Sequence, residues 1–437
     1  MTLGIAETPA VPPVTRRELV GWAMYDFANS GYTTVVLTAI FNAWFVGAVA
    51  GGPGGLADGT ATLLWTSTIA LANLMVLVTA PVIGALGDQL AIKKRLLLIT
   101  TLGCVIATAL LALIGPGDYL LAMSLVLLGT VMFASGESLI AAFLPEITTS
   151  DQIGRISGYG WSLGYVGGVV TLVLCLVYVQ WSTGRGMAEQ SAIAGTMLIT
   201  AVLFGLAALP TFCWLRERAV PHKQPRLASR PATKVFARLA HSLRGVRAFP
   251  DLATLLVSIT VYQSGVITVV VLAAVYAQEV MGFDTEKLLI LIIVVNITSA
   301  VGAFLFGYFQ DRIGSVRALS LSLAIWVLAV GLACFAQRER DLWIVGNLIG
   351  LAMGASQSIG RALVGQFTPV ARTGEFFGLW GLANRLAALL GPMSYGLVNY
   401  LSNGDHRLAL LSTLTFFIVG LMVLYRVNEQ RGRALSR

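Results

Sequence analysis

Two stretches of the chain, GALGDQLAIKK at residues 84–94 and GYFQDRIGSVR at residues 307–317, repeat the same spacing of glycine, aspartate and basic side chains. Asp88 and Asp311 stand at an offset of 223 (311 minus 88), and the same offset relates Asn73 to Asn296. Pro145 and Pro369 differ by 224, and SGYTTVV from Ser30 is echoed by SGVITVV from Ser264 at 234. Offsets this constant are what two copies of one ancestral unit leave behind, whereas convergent loop composition would scatter them. The molecule therefore reads as two related halves.

Each copy sits between apolar stretches. Working outward from the first, these run from about Glu18 to Val49, then roughly 61–87, 95–114, 119–143, 155–180 and 191–215; after a basic interruption from Arg216 to Pro250 six more follow at 251–279, 285–310, 317–336, 341–364, 375–401 and 407–426. At about 20 residues per crossing each is long enough to span a bilayer. The composition agrees: of 437 residues 57% are hydrophobic and only 11% charged, against about 25% charged in an average soluble domain. One soluble globule cannot bury that much apolar surface, so the expected class is an all-α membrane protein of 12 helices in two pseudo-symmetric six-helix bundles. The divisions expected are a disordered N-terminal tail 1–17, bundles at 18–215 and 251–427, a central loop 216–250 and a C-terminal tail 428–437.

Net charge +8 raises nucleic acid as a partner until the charges are located. Of the Lys and Arg residues, 22 fall on one side of the spans, among them Lys93, Lys94, Arg155, the run from Arg216 to Arg247, Arg312, Arg317, Arg372 and Arg431; Arg185, Lys287, Arg338, Arg340 and Arg407 make 5 on the other. Such a bias marks the cytoplasmic side, so both termini and the central loop are expected there, and the charge is topology rather than a nucleic-acid footprint. Cys104, Cys175, Cys213 and Cys334 lie in apolar runs without paired spacing, and His222, His241 and His406 lie in loops. Neither a disulfide framework nor a metal site is expected. No nucleophile with its base and no Gly-Lys-Ser/Thr phosphate loop is readable, so neither an enzyme nor an ATP-driven pump is indicated, and no cofactor is expected.

The pattern G-x-x-x-D-R-x-G-x-x-R, carried by Gly307 to Arg317, resembles the signature loop of the major facilitator superfamily; the copy at Gly84 departs from it at Gln89 and Ala91. WAMYDFANS at 22–30, FLPE at 143–146 and GYGWSLGYVGG at 158–168 resemble the branch containing the autophagy-related vacuolar amino-acid effluxer and its bacterial relatives. The resemblance covers essentially the whole chain. It implies a monomeric secondary transporter in a bacterial inner membrane that exports a small polar solute, an amino acid or related metabolite, by alternating access with proton coupling. A non-transporting receptor on the same fold and an uptake permease for organic acids or peptides are the competing readings. It also implies that helices one, four, seven and ten line the central path.

Ionisable side chains inside the bilayer cost about 2.5–3.5 kcal/mol each on insertion scales and so call for a partner or a wet cavity. Asp26, Glu137, Arg361 and Arg385 are the four. Asp26, Asn29 and Thr33 share one helical face, flanked by Tyr25 and Tyr32. Asp26 is expected either to bind a substrate ammonium or a proton, or to pair with a neighbouring helix for assembly. Glu137 and Arg361 are related by 224, so they either meet as an inner gate or brace their own halves, Arg361 on Asp311 and Glu137 on Lys94 or Arg95. Arg385, beside Asn384, either forks a substrate carboxylate or ties its helix to Asp88. Asn347, Gly350, Gly354, Gln357 and Arg361 form one stripe, suited to a cavity wall and to tight packing alike. Gln263, Trp161 and Trp380 are further pocket candidates. Asp88, Asp311 and Arg312 are expected to hold the halves together on the inner side, and Gly160, Gly164 and Gly168 to let the fifth helix approach a neighbour.

Overall fold

The computed structural model describes residues 13–51, 55–56, 59–218, 242–279, 285–402 and 406–436. Most of the expected N-terminal tail and central loop lies outside these. The long helices are α1 (Arg16–Val49), α2 (Thr60–Leu90), α3 (Lys93–Leu113), α4 (Tyr119–Ala141), α5 (Ile153–Gly184), α6 (Glu189–Trp214), α7 (Pro250–Glu279), α8 (Thr285–Ile313), α9 (Ser315–Phe335), α10 (Glu339–Phe367), α11 (Thr373–Leu401) and α12 (Arg407–Leu424), followed by a short α13 (Glu429–Leu435). Among the described residues, eleven helices are long and apolar enough to cross a membrane. The exception among the twelve is α11, which at 29 residues has the length but carries Glu375, Asn384, Arg385 and Asn399. Its polar residues are the price of lining the interior, and this is why a hydropathy count falls one short of the sequence expectation.

Buried apolar side chains gather into two cores, one drawn almost wholly from residues 22–215 and the other from 246–427. Outward faces are apolar too: Leu98, Leu102 and Ile106 on α3, Val202, Leu206 and Leu209 on α6, and Leu321, Leu328 and Leu332 on α9 are exposed at helical spacing. Apolar residues that are neither in a core nor paired need hydrocarbon as their solvent.

Glycines set where helices cross. A Cβ at Gly84 of α2 would run into the carbonyl of Gly374 of α11, and one at Gly307 of α8 would stand 2.9 Å from the carbonyl oxygen of Gly154 of α5. The first glycine of each repeated loop thus makes the same close crossing between the halves. On α5, a Cβ at Gly164 would stand 3.1 Å from Ser30 Oγ, and those at Gly160, Gly167 and Gly168 would overlap Asp26, Phe27 and Thr34 of α1. The glycine ladder packs α5 on α1 within one half, as small-residue spacing allows. From Tyr32 the far part of α1 is wound wide, with i to i+5 bonds such as Val35 O to Ile40 N at 3.0 Å and Phe45 O to Ala50 N at 2.9 Å.

The start of α1 and the last described helix, α13, meet the basic face. Glu18 at the start of α1 pairs with Arg218 beyond α6 at 2.9 Å, and Asp251 at the start of α7 pairs with Arg431 of α13 at 2.6 Å. Glu217 accepts from the Lys93 amide at 2.6 Å, and Glu429 accepts from the Ser315 and Val316 amides at 3.1 and 3.0 Å. The N-termini of α3 and α9 are thereby capped by carboxylates that follow the sixth and the twelfth helix, a second symmetry between the halves.

Candidate functional site

A cavity of about 280 Å³ lies between the halves, lined by Asp26, Asn29, Ser30 and Thr33 of α1, Phe133 and Glu137 of α4, Trp161 and Gly164 of α5, Gln263 and Ile267 of α7, Gln357 and Arg361 of α10, and Trp380, Asn384, Arg385 and Ala388 of α11. It is a little below the roughly 300–1,000 Å³ of drug-sized sites. It therefore suits a small metabolite. A groove of about 510 Å³ on the outer flank, between α8 and α10, is larger but has an almost wholly apolar lining. Such a surface belongs against lipid.

Two ion pairs cross the cavity, and they differ. Asp26 Oδ2 meets Arg361 Nη1 at 2.6 Å. Arg361 also donates from Nε to Ser157 Oγ at 3.1 Å and from Nη2 to the Ser157 carbonyl at 2.9 Å, and Ser157 Oγ donates to the Ser358 carbonyl at 2.8 Å. Its guanidinium carbon lies 4.7 Å from the Trp22 ring centre and 5.4 Å from that of Trp161, within the range of cation–π attraction. Trp22 is itself anchored by Nε1 donating to the Ile140 carbonyl at 2.8 Å. A side chain at position 160 would collide with Asp26 and Arg361, so the glycine makes room for the pair. The second pair is looser. Glu137 Oε2 meets Arg385 Nη2 at 3.3 Å, Arg385 Nη1 donates to Asn73 Oδ1 at 3.1 Å, and Arg385 Nε is buried without a partner among the described residues. Trp161 Nε1 is buried and unpartnered in the same way. Gln263 donates from Nε2 to Gln357 at 2.7 Å and to Asn384 at 3.2 Å, which closes an amide trio between α7, α10 and α11.

The expected inner gate between Glu137 and Arg361 is not formed, nor are the braces to Asp311 and to Lys94 or Arg95. Each member instead joins the other half through a different partner, because α11 brings Arg385 to Glu137 while α1 brings Asp26 to Arg361. Nor does Arg385 reach Asp88.

Tyr25 does not line the cavity. Its hydroxyl pairs with Thr101 Oγ1 of α3 at 2.9 Å, since it leaves α1 more than a quarter-turn round from Asp26. Tyr25→Phe should therefore lower stability by about 1 kcal/mol, the net value of an ordinary hydrogen bond, and leave the apparent affinity for a transported solute unchanged; thermal denaturation together with a concentration series for uptake checks both. The α10 stripe divides as well. Gly350 and Gly354 pack on Thr298 and Ser299 of α8 and Asn347 lines the outer groove, leaving Gln357 and Arg361 for the cavity.

Towards the basic face the halves are latched. Asp88 accepts from the amides of Gly374 and Glu375 at 2.9 Å each, at the N-terminus of α11. Asp311 accepts from the amides of Gly154 and Arg155 at 3.1 and 3.0 Å, at the N-terminus of α5. Carboxylates at helix N-termini satisfy orphan amides and meet the positive end of the dipole. Lys93, wholly buried, bridges Glu146, Asp88 at 3.2 Å and Thr373 Oγ1 at 2.8 Å. Arg312, expected in this latch, is exposed in the last turn of α8 and makes no ion pair among the described residues. The sequence reading missed Ser157, Trp22, Lys93 and Glu146 as site residues. Glu146 had a signal, a lone acid closing the FLPE motif directly after an apolar span; Ser157 had none, since a serine beside a glycine in a membrane helix is ordinary.

A cavity at the seam of two pseudo-symmetric helical bundles, latched on one face by symmetry-related contacts, defines a membrane transporter of the major facilitator fold. The chain belongs to the family described as vacuole effluxer Atg22-like, whose pattern matches residues 58–436. It is 25% identical over 418 residues to the MFS-type transporter YxiO of Bacillus subtilis, covering 95% of this chain and 96% of that one. Autophagy-related protein 22 of Cryptococcus neoformans is 25% identical over 306 residues, covering 66% of this chain. The chain matches about half the length of that fungal relative, 52%. Among solved structures, the human organic anion transporter MFSD10 shares the fold at a TM-score of 0.71 and 16% identity, covering 95% of this chain and 100% of that one. The proton:xylose symporter XylE does so at 0.68 and 14%, covering 96% of each. The protein is thus an integral, multi-pass membrane transporter and not an enzyme.

Proposed function

We propose that this transporter exports a small zwitterionic solute, an amino acid or a close relative, by alternating access, with protons as the coupling ion. The observation that carries the reading is the charge balance of the cavity: two carboxylates and two guanidiniums face a space of about 280 Å³. A net-neutral site of this kind favours a solute with both signs over a sugar or a simple anion. The effluxer description of the family supports the outward direction, and Asp26 is the group assigned to the coupling proton. The basic face is assigned to the cytoplasm, with both termini there, in the cell (inner) membrane of a bacterium; the full-length likeness to a Bacillus subtilis protein supports a bacterial cell membrane. A monomer suffices, since the cavity draws on one chain.

In this cycle the Asp26–Arg361 pair and the Asp88 and Asp311 latches form the inner gate, parting when the cavity opens to the basic face. The expected divisions at 18–215 and 251–427 serve as the two rocking bodies. Counterflow in proteoliposomes preloaded with unlabelled L-amino acids tests the function. Labelled solute of the same kind should accumulate transiently, and dissipating a proton gradient should weaken net movement. Counterflow of sugars or dicarboxylates with none of amino acids would overturn the reading.

A further inference from the structure

The two cross-cavity ion pairs are built differently enough to have different tasks. Arg361 is engaged at every nitrogen: a carboxylate at 2.6 Å, both groups of Ser157 and two indole faces hold it, and its side chain is 3% exposed. Each of its three nitrogens already donates to the protein, so this guanidinium is held in place rather than offered to a solute. Arg385 is 19% and Glu137 31% exposed at the side chain; their single contact is 3.3 Å, and Nε of Arg385 lies buried without a partner among the described residues. An unmade charged donor is costly in a low-dielectric interior. It marks a place where an acceptor belongs. Asn73 fixes the guanidinium from one side through Nη1, so the fork is held in orientation while its Nε and Nη2 edge carries only one weak bond.

From this contrast we infer that the solute inserts into the Glu137–Arg385 pair. Its carboxylate takes the Nε and Nη2 edge of Arg385, and its ammonium takes the Glu137 carboxylate that is released. Trp161 Nε1, on the cavity wall and also without a partner among the described residues, is the second donor for the carboxylate. One loose internal pair is exchanged for two solute-to-protein pairs, with no charge left uncompensated. Charge-assisted pairing of a planar fork with a carboxylate is directional as well as strong, so Arg385 selects the carboxylate and Glu137 selects the amine beside it. Asp26 and Arg361 serve the gate and take no part in reading the solute. The inference rests on the proposed zwitterion transport and specifies which residues of the site read the solute.

The test compares matched acids on purified protein: L-alanine with propionate, L-valine with isovalerate and L-phenylalanine with phenylpropionate, by thermal shift and by competition for counterflow. Wild-type protein should prefer the amino acid in at least one pair by about 10–100-fold, the range of a lost charged hydrogen bond. Glu137→Gln should abolish or reverse that preference, because the ammonium loses its partner while the carboxylate finds Arg385 freed. Arg385→Gln should weaken amino acid and des-amino acid alike, and Arg385→Lys should restore only part. The ratio between two ligands is read on one preparation, so a folding defect cannot imitate the reversal. A wild type that discriminates while Glu137→Gln keeps the same ratio overturns the exchange alone. A wild type that responds to none of the pairs overturns the zwitterion reading and the exchange with it.

Discussion

Replacing Arg361 with methionine should abolish counterflow and cost about 3–5 kcal/mol of stability, the usual penalty for removing one partner of a buried pair. The size follows from what is left behind. Asp26 would keep a carboxylate inside the bundle with no cation near its Oδ2, and the Ser157 carbonyl would lose its donor. Only the first of these is an uncompensated charge, so Asp26→Asn in the same chain should recover more than half of the lost stability while leaving transport dead. A double-mutant cycle on Asp26 and Arg361 reads the coupling directly. A coupling near zero would mean that the 2.6 Å contact holds nothing together and that the floor of the cavity is secured elsewhere. The same cycle on Glu137 and Arg385 should give a smaller coupling, since that pair is longer and wetter.

Those two pairs also show what a sequence can and cannot disclose about a transporter. Twelve stretches, the repeat and the basic face are one-dimensional features: apolar runs, constant offsets and a charge census survive without coordinates. The four intramembrane charges were legible for a related reason, since hydrocarbon tolerates none without a purpose. Their pairing was not legible. Glu137 and Arg361 hold equivalent places in α4 and α10, and symmetry invites a contact between equivalents. Yet the contact is decided by azimuth and by the neighbouring helix, and these deliver Asp26 to one arginine and Arg385 to the other carboxylate. Tyr25 failed for the same reason on a smaller scale: it adjoins Asp26 in sequence and leaves the helix on another side. Lys93 was counted as a loop charge, which is the natural reading of a basic residue at a span's end. Only the fold reveals that it is sealed between Asp88 and Glu146, beneath Thr373 of the other half.

Gly84→Val should arrest the transporter with its basic end unable to close. The added side chain would occupy the place of the Gly374 carbonyl and force α2 off α11 at the crossing that brings Asp88 to the N-terminus of that helix. Two charge-assisted bonds of 2.9 Å, to the amides of Gly374 and Glu375, are then out of reach. At about 1.5–3 kcal/mol for each hydrogen bond to a charged group, the closed arrangement loses enough to move a two-state equilibrium by more than about 100-fold. A cysteine placed in the cavity by Ala388→Cys reports the outcome, in a Cys213→Ser background that removes the exposed native thiol. An impermeant maleimide presented at the basic face should label it much faster in Gly84→Val than in the parent. Gly307→Val, acting on the equivalent crossing of α8 with α5, should do the same, because the repeat gives both halves the same latch. Gly331→Val is the control: a Cβ there meets nothing within 4 Å, so bulk alone should change neither labelling nor transport. Equal labelling in all four proteins would show that the closed basic end does not depend on these glycine crossings, and the symmetric latch would have to be abandoned as the device that alternates access.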